Sequence, residues 1–131
     1  MFRERGAKSA IDRVHTAIHG FLKSACRQAH IPMEKDTSIT QCFKLLKNSH
    51  PAFQQVEVAH DPDVIKVLGA LSTIIDTLNH LRNRASLAHP NETILDEAES
   101  HLIIDSAKTF LRYVSARLKT AQDDEVDEIN V

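Results

Sequence analysis

The chain has 131 residues, 42% of them hydrophobic, with three glycines and four prolines. This composition suits one compact helical core and leaves little room for hairpin turns or a glycine-rich phosphate loop. Two cysteines, Cys26 and Cys42, fall on different expected helices without metal-ligand spacing, so they read as reduced, buried thiols and argue against a disulfide framework. The formal charge of −2 is uneven: residues 122–131 hold five acids and no base, which leaves 16 basic against 13 acidic side chains on the body. A mildly basic body is compatible with RNA without establishing that it binds RNA. The acidic stretch reads as a disordered, solvating tail, with a negative strand that masks a basic groove as the functional alternative. The opening Met-Phe-Arg-Glu-Arg-Gly is charged where a signal peptide is apolar, and no apolar run approaches the ~20 residues of a bilayer span. A cytoplasmic location with no membrane partner is therefore expected.

The first helix is expected from Glu4 or Ser9 to His30, with Ile11, Val14, Ile18, Phe21, Leu22 and Ala25 at helical spacing and Pro32 ending it. Thr37 or Ser38 is the N-cap of a short second helix that carries Ile39, Cys42, Phe43, Leu45 and Leu46. Residues 48–51 close it, and 52–60 read as a loop or loosely helical connector. Asp61-Pro62-Asp63 is a strong helix start, with Asp61 as cap and Pro62 in the first position. The third helix then spans 62–88, its apolar stripe running from Val64, Val67, Leu68 and Leu71 through Leu81 and Ala88. Asn91 or Thr93 caps a fourth helix through about Lys119, with Leu95, Ala98, Leu102, Ile103, Ala107, Phe110, Leu111, Val114 and Leu118 facing inward. The expected fold is all-α, an up-and-down four-helix bundle over 1–121 followed by the 122–131 tail.

The run from Leu78 to Pro90 carries the chemistry. At about 100° per residue, Arg82 and His89 are close to two full turns apart and share a stripe. Ser86 lies roughly 40° off it, while Arg84 lies well off it. Pro90 disfavours the α region at His89, which puts the imidazole at the helix end, where unpaired carbonyls favour its cationic form. A guanidinium and an imidazole together suit a phosphodiester. The plainer alternative is a helix-terminal cap beside a solvated or intramolecularly paired Arg82.

His15 and His19 are four apart, the spacing of two zinc ligands, but the intervening Glu of a metalloprotease helix is missing and no third ligand follows. No metal and no cofactor are expected. His80 points about 160° away from Arg82, and His30, His50, His60 and His101 read as surface groups at ends, loops or an exposed face. Arg84, Arg112 and Arg117 could extend a phosphate path, although charges on amphipathic helices usually face water, and of the three Arg84 alone is kept as a binding residue.

The block Leu81-Arg82-Asn83-Arg84-Ala-Ser86-Leu-Ala-His89-Pro90, together with the opening helix at 10–23 and the closing helix, resembles the Arg-polar-x(4–6)-His signature of the HEPN superfamily, and within it the abortive-infection C-terminal domain. The resemblance covers residues 10–118. It implies a metal-independent endoribonuclease of phage defence, or the toxic half of a toxin–antitoxin pair, giving 2′,3′-cyclic phosphate ends. In that reading His89 is acid or base, Arg82 clamps the phosphate and Asn83 orients it, while Arg84, Ser86, His15 and His19 line or support the RNA groove. One motif supplies one imidazole, so a homodimer is expected, with Leu78, Leu81 and Leu87 as candidates for its interface. The family's domain usually follows a separate region, which is expected to be absent or supplied by another chain, such as a sensor or antitoxin. Two other classes stay open. One is a catalytically silent HEPN module that binds RNA or nucleotide or only dimerises; the other is a plain helical adaptor, which a buried salt bridge from Arg82 within the chain would favour.

Overall fold

The computed structural model describes residues 4–54, 61–87 and 96–129, with side chains over 10–54, 61–84 and 96–120. Among the described residues four helices carry the fold, α1 (Glu4–Gln28), α2 (Ile39–Ser49), α3 (Pro62–Leu87) and α4 (Glu97–Ile129), with one 3-10 turn at Pro51–Phe53. No strand occurs among the described residues. The chain is the expected all-α bundle.

Local chemistry explains the boundaries. At the end of α1, His30 takes a left-handed φ of 57°, its N–H reaches the Arg27 carbonyl, and the Ile31 N–H reaches that of Cys26. This is a Schellman-type cap with histidine where glycine is usual, and the apolar residue after it, Ile31, is buried. Ser38, the second of the two expected caps, starts α2: its hydroxyl accepts from the Gln41 N–H while the Gln41 side chain accepts from the Ser38 N–H. Thr37 is buried and donates to the Glu34 carbonyl at 2.7 Å. Asp61 caps α3 as expected, accepting from the Asp63 and Val64 N–H groups.

Side-chain pairs set the helix directions. Asp12 meets Arg82 and His15 meets Asn79, so α1 and α3 are antiparallel. Lys47 meets Ser72 and Thr40 meets Asp76, so α2 also opposes α3. The ten residues 29–38 therefore return along α1, where His19 meets the Thr37 carbonyl, before α2 sets off in the same sense as α1. Direction then alternates through α2, α3 and α4, so the expected up-and-down order holds except between α1 and α2, which run parallel because residues 29–38 carry the chain back. Phe43 and Phe110, both fully buried, meet edge to face at 4.7 Å near the centre of the core.

Several expectations shift. Residues 51–53, read as connector, are a turn whose Ala52 and Phe53 are buried, with Phe53 edge-on to Phe43 and Tyr113. His50, read as a surface group, is half-buried, and its Nδ1 accepts from the Ala52 N–H; burial lowers its pKa, which suits an acceptor nitrogen. At the start of α4 the phase differs: Ser100 and Ile104 face inward, whereas Ala98 and Leu102 are exposed. Counting back from Ala107 at 3.6 residues per turn reaches 104 and 100, and Leu102 lies about 160° from Ile104 on the outer side. In α3, Val67 is 57% exposed, about 40° off the line of Leu71. α4 continues to Ile129, ten residues past the expected Lys119, so 122–129 are helical and not an unstructured tail; no Gly or Pro follows Glu97 to stop it. Against the expectation that no apolar run approaches a bilayer span, the stretch 62–84 is long and apolar enough to cross one, its polar residues being spread along it; here it packs Leu71, Ile75, Leu78 and Leu81 into the core. Residues 88–95, which contain the expected α4 caps Asn91 and Thr93 together with Leu95, lie outside the described residues, as does His60.

His30 tests the cap. A β-carbon in the left-handed region costs about 1 kcal/mol, partly offset by the greater freedom of glycine in the unfolded chain. His30→Gly should therefore raise stability by about 0.5 kcal/mol in urea unfolding, and a loss of stability would mean the cap is not formed.

Candidate RNA-binding site at the α1–α3 seam

Within α3, the stripe Ile75, Asn79, Arg82 advances by four and then three residues, so these side chains share the face turned to α1. Leu78 and Leu81 beside them are buried in the core, which removes both as candidates for a dimer interface. On α1, Asp12, His15 and His19 advance by three and then four, and they form the opposite side of the seam.

The seam has a dry end and a wet end. His15 is 3% exposed, and its Nε2 is 3.1 Å from Asn79 Oδ1. Neutral imidazole with its proton on Nε2 donates to that oxygen. One turn away, Arg82 Nε donates to Asp12 Oδ1 at 3.4 Å, with 41% and 60% of the two side chains exposed. An ion pair so open to water is worth about 0–1 kcal/mol. This pair is open to water, unlike the buried salt bridge that a plain adaptor would call for. Asn83 and Arg84 follow on the exposed surface. Ser86 belongs to the last turn of α3, but its side chain, like that of Leu87, lies outside the described residues, and so does the whole of His89.

The histidine pair is turned toward the chain itself. His15 is buried on Asn79, and His19, half-buried, donates from Nε2 to the Thr37 carbonyl at 2.8 Å. Their rings meet edge to face at 5.6 Å. Of the two expected places, lining a groove or supporting it, this arrangement fits support, because each ring spends its Nε2 on another part of the chain. Among the described residues no three His, Cys, Asp or Glu side chains gather to hold a metal ion. Burial lowers the pKa of His15 most strongly; the Arg82 and His19 charges add to this, and the Asn79 bond and Asp12 oppose it. Two groups escaped the sequence reading. Asn79 was visible as a lone amide in an apolar stripe, whereas Thr37 enters through its backbone carbonyl, which no side-chain pattern reveals.

A family model described as an HEPN-like domain, Abi_C, matches residues 1–117, a span that contains α1, Arg82, Asn83 and His89. The chain belongs to this HEPN-like family. No curated protein matches the chain, and no solved structure does. The HEPN-like domain thus has its Arg82 on a rigid helix, at a half-open seam, beside a carboxylate.

Because folding holds His15 neutral, its contribution to stability is present above the unfolded imidazole value near 6.5 and is lost as pH falls below that value toward the lowered native pKa. The HEPN-like domain should lose stability between pH 7 and pH 5 more steeply than its His15→Gln variant. Parallel melting-temperature profiles for the two proteins would exclude a neutral buried imidazole.

Proposed function

We propose that this HEPN-like chain is a metal-independent endoribonuclease that acts in abortive infection or as a toxin. The observation that carries the reading is the placement of Arg82 inside a family match that also spans Asn83 and His89. In the proposed reaction the ribose 2′-hydroxyl loses its proton to a base and attacks phosphorus. The bond to the 5′-oxygen breaks, and an acid protonates that oxygen, leaving a 2′,3′-cyclic phosphate and a 5′-hydroxyl. Arg82 holds the phosphate and its developing charge as Asp12 gives way. Asn83 orients the phosphate, and Arg84 and Ser86 extend the contact with RNA. His89 supplies one of the two proton-transfer groups.

The other imidazole comes, in this proposal, from a second copy across a two-fold axis beside α3. With Leu78 and Leu81 in the core, Leu87 at the end of α3 is the remaining candidate for that contact. An antitoxin or a sensor chain is the further partner that a toxic nuclease calls for. A second reading, a silent module that binds RNA without cutting it, draws on the Asp12 carboxylate, whose negative charge beside Arg82 opposes a phosphate.

RNA incubated with the purified chain should be cleaved equally well with EDTA present and carry 2′,3′-cyclic phosphate ends. His89→Ala should slow cleavage roughly 10²–10⁴-fold, and Arg82→Lys should fail to restore it because an ammonium lacks the two-point grip. Loss of activity in EDTA with rescue by Mg²⁺ or Mn²⁺ would sink this mechanism, and intact RNA bound by the wild type under all conditions would favour the silent module. Sedimentation should find a dimer, and Leu87→Glu a folded, inactive monomer. A monomer that cuts at the wild-type rate would exclude the shared site.

A further inference from the structure

We infer that His15 is a positioning residue for Arg82: by donating to Asn79 it fixes the register and rotation of α3 against α1 at the turn that carries the guanidinium. The inference rests on reading Arg82 as the phosphate clamp. The two helices are tied by two polar rungs one turn apart. His15 follows Asp12 by three residues, Asn79 precedes Arg82 by three, and the helices are antiparallel, so the His15–Asn79 rung and the Asp12–Arg82 rung stand side by side.

Their environments differ, and so does what each can do. The Asp12–Arg82 rung is wet and loosely held, too weak to fix a long side chain on its own. The inner rung is buried at its histidine end, with His15 at 3% exposure and Asn79 half-buried, so breaking it strands the imidazole N–H away from water. A slip of α3 by one residue would turn it by 100° and carry Arg82 off the α1 face. Apolar neighbours such as Leu78 and Ile75 tolerate small slips far better than a hydrogen bond does. A buried polar pair in an apolar interface is the kind of contact that selects one register. His15 is itself braced by the His19 ring, which the Thr37 carbonyl holds. The charged and titratable groups around it are Asp12 and His19 on α1 and Arg82 on α3.

The test compares His15→Gln, which keeps an N–H at nearly the reach of Nε2, with His15→Leu, which removes it. The first readout is the Arg82 Nε–Hε resonance in NMR, identified by its loss in Arg82→Ala, and it needs no activity. His15→Gln should keep the wild-type resonance and cleave RNA within about threefold of wild type. His15→Leu should keep its helix content but shift or broaden the resonance, and lower kcat roughly 10–100-fold, the scale of a misplacement near 1 Å. Adding His15→Leu to Arg82→Ala should cost nothing further, because both act through one guanidinium. An unchanged Arg82 resonance in His15→Leu, or costs that multiply in the double variant, would overturn the inference. Should His15→Leu not fold, Asn79→Ala removes the other end of the rung and must move the same resonance. Should the wild type cut no RNA, the nuclease reading fails and the resonance alone decides this one.

Discussion

A buried imidazole between two helix faces is costly unless its N–H is satisfied, and that constraint at His15, met by the half-buried Asn79, governs how the bundle closes. α1 packs against each of the other three helices, so its rotation sets theirs. Turning α1 to meet Asn79 points Ile11, Ile18, Leu22 and Cys26 into the core. The same turn leaves Asp12 at the open edge of the seam, next to Arg82. Burial supplies most of the folding free energy, but it discriminates poorly between neighbouring registers. The histidine rung supplies the discrimination.

Periodicity made much of the bundle legible. The inward faces of α1 and α2 and the stripe from Leu71 to Leu81 follow from spacing, and the capping residues Ser38 and Asp61 follow from their hydrogen-bonding chemistry. The failures were equally physical. Ala98 and Leu102 are apolar at plausible intervals, yet hydropathy alone does not anchor phase; the inward set is fixed by Ala107, Phe110 and Val114 and admits Ser100 in place of Leu102. Phe53 was hidden because a three-residue turn has no period to detect, although an aromatic four residues after the end of α2 packs as firmly as any helical one. The acidic end of α4 went the other way: its composition suggested disorder, but the absence of a breaking residue allowed the helix to run on.

The site was legible in part because helical geometry determines which side chains share a face. Arg82 stands toward α1 beside Asp12 and His15, as the pattern of both helices allows. What spacing could not say is which groups are consumed by the fold. His15 and His19 carry the right chemistry for a substrate groove, and each is turned inward by an acceptor, Asn79 or the Thr37 carbonyl, whose location depends on the return of residues 29–38. A backbone carbonyl delivered by a loop is invisible to any reading of side-chain types.

The direction of α4 has a consequence for how the molecule meets a polyanion. Because Arg117 lies beside Ala52, at the end of α2 far from Asp12 and Arg82, everything after it extends away from the seam. At 1.5 Å per residue the five-acid stretch after Gln122 begins roughly 30 Å from Arg82 along the bundle. Five acids with no base near the end of α4 thus make the charge uneven along the chain although the net charge is small. In the field of a polyanion such an uneven body would experience a torque before much net force, and the torque would turn the acidic end outward. Orientation would precede contact, and it would fade as salt shortens the screening length below the length of the bundle.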